Sequence, residues 1–306
     1  MTMSTKHLIV IVGPTGSGKS DLAIEIAERY GAPIISTDSR QFYRGIPIGT
    51  AQPDAEQLQR VEHHFIASYD LKQEFNCGAY ETEALAKLEE LYRKHDVVVA
   101  VGGSGLYIKA LCEGMDSLPE AEPELREELA RRLRSEGLES LCEELRQRDP
   151  AYYEEVDRNN PARVLRALEV CISTGLPYSS MRTGEKRQRP FNIIKLGIDM
   201  ERERLYERIN RRVDVMMQMG LEREARAVYH LRTLNSLQTV GYREMFDYFD
   251  GTISRDEAIE LIKRNSRRYA KRQMTWFRRD EEIKWVDTAN KQIIEEYLDS
   301  KICTLK

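Results

Sequence analysis

The sequence predicts an α/β protein in which helices flank a parallel sheet and a small all-helical domain is inserted. Short apolar runs alternate with helical patterns in the early part of the chain, and runs apolar on both faces are typical of parallel strands. A glycine-rich motif separates the first apolar run from the first helical pattern. Helical patterns without a strand fill residues 118–190, which predicts the inserted domain and leaves 1–117 and 191–306 to form the core.

The first predicted strand, His7–Val12, runs into a phosphate-binding motif. The motif GPTGSGKS fits G-x-x-x-x-G-K-[ST], and the residues after it recur at helical spacing. In a strand–loop–helix unit, backbone N–H groups and the helix N-terminus converge on phosphate. Lys19 adds an ammonium group, and Ser20 offers a hydroxyl ligand for Mg²⁺. We therefore expect a P-loop NTPase-like core that binds a diphosphate or triphosphate through Gly13, Pro14, Thr15, Gly16, Ser17, Gly18, Lys19 and Ser20.

A carboxylate, Asp38, follows the second predicted strand, Pro33–Thr37. Ligands of open α/β sheets bind at the carboxyl ends of the strands, so Asp38 is expected in the same cleft as the phosphate loop. There it could act as a general base or bind Mg²⁺. The alternative is an ordinary Asp in a turn or helix cap.

Glycines end the third predicted strand, 96–101, which follows a helix predicted over Ala79–Tyr92. In nucleoside-triphosphate-hydrolysing proteins a strand at this place ends in an acidic residue that binds Mg²⁺. Gly102 and Gly103 occupy it here, so ATP hydrolysis is not expected. They allow the backbone to approach a ligand closely, and Ser104 could bind phosphate or cap the next helix.

Helical periodicity continues through the inserted region, over residues 125–145 and 164–172. The polar, basic stretch 178–190 then leads back to the sheet, whose next predicted strand is Ile193–Ile198. No internal repeat or low-complexity segment interrupts these elements.

A basic tract lies on the last long predicted helix, which begins at a capping box, Ser254–Glu257. The tract has eight basic and no acidic residues, although the net charge of the chain is −4: Lys263, Arg264, Arg267, Arg268, Lys271, Arg272, Arg278 and Arg279. Trp276 and Phe277 interleave with these cations, a pattern suited to RNA phosphates and unstacked bases. The alternative is a solvated helix face.

The composition indicates a globular protein of a reducing compartment. Of its 306 residues, 41% are hydrophobic and 32% are charged. Five scattered cysteines without a C-x-x-C pair argue against a disulfide framework and a structural zinc. The adjacent His63 and His64 point to different sides, so they are not expected to bind a metal. No signal peptide or membrane-spanning stretch is visible, and we expect a cytoplasmic monomer without an obligate protein partner.

Taken together, the motifs resemble the tRNA dimethylallyltransferase family, also called the tRNA isopentenyltransferase family, in its bacterial type without a C-terminal zinc finger. The resemblance covers nearly the whole chain. Besides the phosphate loop, it rests on the order and spacing of six segments: Asp38–Gly45, Ile48–Ala51, Gly102–Tyr107, Arg163–Val170, Gly241–Glu244 and Ala270–Arg278.

The resemblance implies transfer of a dimethylallyl group from dimethylallyl diphosphate to N6 of adenosine-37 in tRNA, with Mg²⁺. The phosphate loop and Lys19 would then hold a diphosphate leaving group. Asp38 matches the family's general base, and Arg212 matches the arginine that neutralises the departing diphosphate, although Arg211 is its neighbour. Ser104 stands where the family usually has Thr, a hydroxyl on the diphosphate.

The resemblance also implies a tRNA-binding surface. The target base must leave its stack to react, and the segment from Asp38 would read it. The inserted domain would grip the anticodon stem, with Asn160 standing where the family more often has Asp. The expected tRNA contacts are Asp38, Ser39, Arg40, Gln41, Arg126, Asn159, Asn160, Gly241, Tyr242, Arg243, Lys271, Arg272, Gln273, Trp276 and Arg278.

Three other functions remain possible from the residues. An adenylate isopentenyltransferase would use the same chemistry on free AMP, ADP or ATP, but would need neither the helical insertion nor the basic tract. A P-loop small-molecule kinase would use Asp38 to position a hydroxyl acceptor. A non-catalytic RNA-binding protein would not need Asp38, Lys19 and Ser104 in one cleft.

Overall fold

In a computed structural model, described for residues 5–116, 118–119 and 122–303, six parallel strands form one sheet in the order β3-β2-β4-β1-β5-β6. The strands are β1 His7–Val12, β2 Ile34–Ser36, β3 His63–His64, β4 Val97–Gly102, β5 Asn192–Ile198 and β6 Lys284–Val286. The predicted parallel sheet is confirmed. The second, third and fourth predicted strands correspond to β2, β4 and β5, with ends that differ by one residue.

Two short edge strands, β3 and β6, were not predicted. Each has only two or three residues, too few to show a period. Their pairing with β2 and β5 defines them as strands.

Fourteen α-helices are present in the described part of the chain. They are α1 Lys19–Tyr30, α2 Pro47–Thr50, α3 Ala55–Arg60, α4 Cys77–Leu91, α5 Gly105–Glu113, α6 Pro123–Arg148, α7 Pro150–Glu155, α8 Pro161–Thr174, α9 Tyr178–Met181, α10 Arg202–Met219, α11 Leu221–Val228, α12 Tyr242–Phe249, α13 Arg255–Phe277 and α14 Lys291–Cys303. The Ser254 side chain caps α13 by accepting a hydrogen bond from the Glu257 amide, which is one of the two bonds of the predicted capping box.

Alternate residues of the central strand face two different helix layers. Ile9 and Ile11 pack with α1 and α14, whereas Leu8, Val10 and Val12 pack with α4, α5 and the helices from α10 to α13. Because both faces are covered, β1 is buried at every position. This burial produces the continuous apolar run in the sequence.

The chain divides into two compact units. One comprises the residues up to Cys112 and from Gln188 onward, and the other is Glu113–Arg187. The second unit has its own core, in which Leu129, Leu141 and Leu168 are buried. The predicted insertion, 118–190, begins and ends a few residues later than this unit. Within the described ranges, no helix is both long and apolar enough to cross a bilayer.

Candidate active site

The phosphate loop, Asp38 and the glycine turn lie at one edge of the sheet. Val12 of β1 is in register with Gly102 of β4, and Ser36 of β2 is in register with Val101. The Thr37 amide donates to the Val101 carbonyl at 2.8 Å, which extends this pairing one residue beyond β2. The expected convergence at the carboxyl ends of the strands is therefore present.

Side chains of α10 pack against the phosphate loop and hydrogen-bond to it. Gly16 and Gly18 have φ values of 82° and 91°, a region that favours glycine, and Gly18 is the N-cap of α1. A Cβ on Gly16 would lie 2.9 Å from Ile209, and the Arg208 side chain donates to the Gly16 carbonyl at 2.8 Å. The Ser17 hydroxyl is buried and has no hydrogen-bond partner in the described part of the chain, which suits a loop that binds an anion.

A cavity of about 310 Å³ opens beside this loop. Thr15, Asp38 and Arg212 contribute polar groups to it, and an apolar wall is formed by Ile209, Val213, Met216, Val240 and Ile262. Arg211 does not line this cavity and is exposed, whereas Arg212 is half-buried. The structure therefore brings Arg212 and not Arg211 to Asp38. Besides Asp38, five of the residues expected to contact tRNA line it: Ser39, Arg40, Gly241, Arg243 and Arg272.

The charges around the cavity act on one another. Burial lowers the pKa of Lys19 from its ordinary value to about 8; the Asp38 carboxylate opposes this effect and Arg212 adds to it. Burial also lowers the pKa of Arg212, again against the attraction of Asp38. Two partly desolvated cations thus face one carboxylate, an arrangement that an added polyanion would stabilise.

The Asp38 carboxylate is held by the loop that follows it. Its Oδ1 accepts a hydrogen bond from the Arg40 amide at 3.0 Å, and its own amide donates to the Ser36 hydroxyl. Phe42 anchors this loop, since its fully buried ring lies 5.3 Å from the rings of both Phe75 and Tyr80. The carboxylate therefore has a fixed direction at the cavity wall.

Ser104 is buried and contacts Ser39. Its hydroxyl oxygen accepts from the Ser39 amide at 3.0 Å and lies 3.1 Å from the Ser39 hydroxyl. The side chain thus ties the β4 turn to the Asp38 loop, which neither predicted role anticipated. Tyr269 also contacts the Ser104 hydroxyl. Burial and the Asp38 carboxylate raise the pKa of Tyr269 to about 12.

The two glycines of the β4 turn make room for the protein itself. A Cβ on Gly102 would lie 2.2 Å from the Thr37 hydroxyl and 2.8 Å from the Asp38 nitrogen, and a Cβ on Gly103 would lie 2.1 Å from the Gln273 amide nitrogen. The close approach that we predicted for a ligand is made here by the Asp38 loop and by α13.

Two residues predicted to contact tRNA are buried, which corrects those predictions. Tyr242 is fully buried, and its hydroxyl hydrogen-bonds to Glu224 and to the Ile46 carbonyl. Gln273 is 5% exposed, and its amide bonds to backbone on two loops. Neither side chain is accessible to RNA in this structure.

Tyr242 instead supports the segment at 48–51. A Cβ on Gly49 would lie 2.5 Å from the tyrosine ring, and Glu224 accepts hydrogen bonds from the Ile48 and Gly49 amides at 2.8 Å each. Gln41 is also engaged, since its amide donates to the Ala51 carbonyl at 2.8 Å. These contacts position Gly49 and Thr50 in the cavity wall.

The basic tract of α13 is partly exposed and partly paired. Four residues expected to contact tRNA are exposed: Lys271, Arg272, Trp276 and Arg278. Arg278 lies 3.5 Å from Asp199, and Lys263 pairs with Asp214 at 2.8 Å and with Glu260. Acidic residues outside the tract therefore provide counter-charges, although its own sequence contains none.

Sequence reasoning missed Tyr269 and Val240, both of which line the cavity. Tyr269 could have been found, because it lies three and seven residues before Arg272 and Trp276 and so shares their helix face. Val240 lies in a loop after a short 3-10 turn, where no periodicity marks it.

In the second unit, the expected tRNA contacts lie near the start of two helices. Arg126 lies in the first turns of α6, 4.0 Å from Glu169. Asn160 is the N-cap of α8 and accepts from the Arg163 amide, and Asn159 is exposed. The Asn160 side chain thus has a structural role that either Asn or Asp can fill.

Ser20, the expected Mg²⁺ ligand, is partly exposed on the first turn of α1 beside Lys19. Mg²⁺ usually keeps several waters and binds phosphate oxygens with few protein ligands. A single hydroxyl at a phosphate loop fits an ion carried mainly by a bound diphosphate.

The chain matches known proteins along most of its length. The IPP transferase family matches residues 41–280. A tRNA dimethylallyltransferase of Porphyromonas gingivalis is 54% identical over 278 residues, which cover 91% of this chain and 93% of that protein. The solved tRNA isopentenylpyrophosphate transferase of Bacillus halodurans is 37% identical, with a TM-score of 0.73 and 98% of both chains covered. A eukaryotic dimethylallyltransferase acting on tRNA is 25% identical, with a TM-score of 0.82, 98% of this chain covered and 80% of that chain.

Proposed function

Since this chain belongs to the IPP transferase family, as do the tRNA dimethylallyltransferases it matches, we propose that it transfers a dimethylallyl group from dimethylallyl diphosphate to N6 of adenosine-37 in tRNA. One observation carries the mechanism: Asp38 and Arg212 line one cavity and interact with Lys19 of the phosphate loop. The carboxylate can accept a proton from one reacting group, and the two cations opposite it can bind the anion that leaves the other.

The phosphate loop holds the diphosphate in this proposal. Amides of the loop other than that of Thr15, which bonds to Gln273, bind its oxygens together with the N-terminus of α1. Lys19 and Arg212 face the charge that develops as the C1–O bond breaks. Mg²⁺, when bound at Ser20 and the phosphate oxygens, would supply further neutralisation of that charge. The apolar wall beside Arg212 suits a five-carbon allylic chain.

Asp38 acts as the general base. The N6 nitrogen of the extruded adenine forms a bond to C1 as the C1–O bond breaks, diphosphate departs with the bonding electrons, and the N6 proton passes to the Asp38 carboxylate. The hydrogen bond from the Arg40 amide to Oδ1 keeps the carboxylate directed.

tRNA is proposed to contact both compact units. In the first, the exposed residues Arg272 and Trp276 of α13 flank the cavity that contains Asp38. In the second, Arg126 and Asn159 are proposed to contact the anticodon stem. An enzyme acting on free AMP, ADP or ATP would use the same cavity without these surfaces. With tRNA as acceptor, the reaction would take place in the cytoplasm.

A transfer assay with labelled dimethylallyl diphosphate and Mg²⁺ tests this function. Parallel reactions would contain unmodified tRNA with adenosine at 37, the same tRNA with guanosine at 37, and AMP or ATP. We expect label on the first acceptor alone. Label on the free nucleotide would establish the adenylate reaction instead, and label on none would reject prenyl transfer.

Asp38→Asn tests the general base in the same assay. The substitution keeps the size of the side chain and removes its ability to take a proton, so we expect kcat to fall at least about a hundredfold, the lower end of a general-base contribution. Affinity for inorganic diphosphate should change little. Near-normal turnover by a folded Asp38→Asn protein would withdraw the assignment.

A further inference from the structure

Gln273 links the phosphate loop to the glycine turn that follows β4. Its Oε1 accepts a hydrogen bond from the Thr15 amide of the phosphate loop at 2.9 Å, and its Nε2 donates to the Gly103 carbonyl at 2.9 Å. The side chain is 5% exposed, so water does not compete for these bonds.

A primary amide of this length supplies both the acceptor and the donor that these bonds need. One partner is a backbone donor and the other a backbone acceptor, so the orientation of the amide is determined. An ionised Glu lacks the donor, and Met lacks both groups. Gly103 is adapted to this contact, because a Cβ there would lie 2.1 Å from Nε2.

The bridge connects the predicted phosphate site to the predicted base. Thr15 lines the cavity on the phosphate-loop side. Gly103 precedes Ser104, whose hydroxyl accepts from the Ser39 amide next to Asp38. The Gln273 amide therefore sets the distance between the loop that would bind diphosphate and the turn that supports Asp38.

We propose that Gln273 is a positioning residue that holds the phosphate loop in register with the Asp38 side of the cavity, so that bound diphosphate and general base are correctly spaced. This inference rests on the proposed function for the chemistry, but the bridge itself requires only that the phosphate loop bind an anion. It replaces the expectation that Gln273 contacts tRNA. The Thr15 amide is then a structural group and does not bind phosphate.

Two variants of the full chain test the bridge. Gln273→Met removes both hydrogen bonds at similar volume. Gln273→Glu keeps an acceptor for Thr15 and regains a donor only when protonated. The matched control is Gln292→Met, at an exposed glutamine whose amide reaches Glu296 on the same helix. For each protein, kcat, the dissociation constants of inorganic diphosphate and tRNA, and the unfolding temperature would be measured.

We expect Gln273→Met to weaken inorganic diphosphate binding and lower kcat by about tenfold or more, while tRNA affinity stays within about twofold, because a lost hydrogen bond of this kind changes an equilibrium by such factors. For Gln273→Glu, the ratio of its diphosphate affinity to that of wild type should rise as the pH falls, because the neutral acid both donates and accepts. A purely structural role would not produce this pH-dependent rescue.

Three results would overturn the inference. One is wild-type diphosphate affinity and kcat in a folded Gln273→Met protein, even with a lower unfolding temperature. Another is lost tRNA affinity with unchanged diphosphate affinity, which would restore an RNA contact. If Gln273→Met does not fold, the test depends on Gln273→Glu. A ratio of its diphosphate affinity to that of wild type that does not change with pH would then overturn the inference. Diphosphate affinity can be measured even if the wild-type protein does not prenylate tRNA. Failure of this inference and failure of the proposed function are therefore distinguishable.

Discussion

Lys19 combines a positive charge with partial removal from water. Its pKa is lowered to about 8 mainly by burial, even though Asp38 lies opposite. A folded-state pKa below the ordinary value of 10.5 means that the unfolded chain holds more protons between these pH values. The contribution of Lys19 to stability therefore rises with pH across this window and is smallest below it.

The same pKa predicts how diphosphate affinity depends on pH. A bound polyanion favours the ammonium form, so affinity should be greatest below about pH 8 and should fall as Lys19 loses its proton in the free protein. Lys19→Arg keeps its charge, so its affinity relative to wild type should rise with increasing pH. Calorimetric titration with inorganic diphosphate across this range measures the ratio. A ratio independent of pH would show that Lys19 does not titrate there.

At the element scale, α13 has three roles along its length. Ala258 and Ile262 pack in the core, Tyr269 and Gln273 face the cavity loops, and Arg272 is exposed with other cations. Ala258, Ile262, Tyr269 and Gln273 follow one another at intervals of four or seven residues and so share one side of the helix, and Arg272 lies beside them. An exposed basic face close to the cavity is the feature that favours tRNA over a free nucleotide as acceptor.

We expect Arg268→Gln to weaken tRNA binding and to reduce the slope of log K against log salt by about 0.7–0.9, the value for one lost phosphate contact. Arg268 is exposed and lies one turn before Arg272 on α13. Binding titrations at several salt concentrations measure this slope.

Lys263→Gln is the matched control on the same helix. Lys263 already pairs with Asp214 and Glu260, so its loss should leave the slope nearly unchanged. Equal slopes for wild type and both variants would mean that the exposed cations of α13 form a solvated face rather than an RNA contact.

At the scale of the whole molecule, the two units have separate cores. Leu8 and Val10 belong to the core of the first unit, whereas Leu141 and Leu168 belong to that of the second. Separate cores allow a defect in one unit to remain local.

Leu168→Ala should therefore destabilise the second unit by about 2–5 kcal/mol, the usual cost of a Leu-to-Ala cavity, without weakening diphosphate binding. Hydrogen exchange should accelerate in α6 and α8 and stay unchanged in β1 and β4. Leu176→Ala, at a leucine that is 54% exposed, is the control. It should change neither the stability of the second unit nor hydrogen exchange in α6 and α8. Equal acceleration in β1 and β4 would indicate that the two cores unfold together.

The sequence alone predicted the sheet, the phosphate loop and the position of Asp38. These features depend on local information: apolar runs define buried strands, and a motif of eight residues defines the loop. Parallel topology then brings the ends of β1, β2 and β4 together without further information. The family was also recognisable, because the order of its motifs is a property of the chain.

Only the tertiary structure decided which side chains face the cavity. Tyr242 and Gln273 lie in recognisable motifs, yet both are buried, and Gln273 bonds to Gly103, 170 residues away. Arg211 and Arg212 are equivalent in the sequence, and the packing of α10 brings only Arg212 to the cavity. The physical reason is that periodicity determines which residues share a helix face, whereas burial depends on what packs against that face from distant parts of the chain.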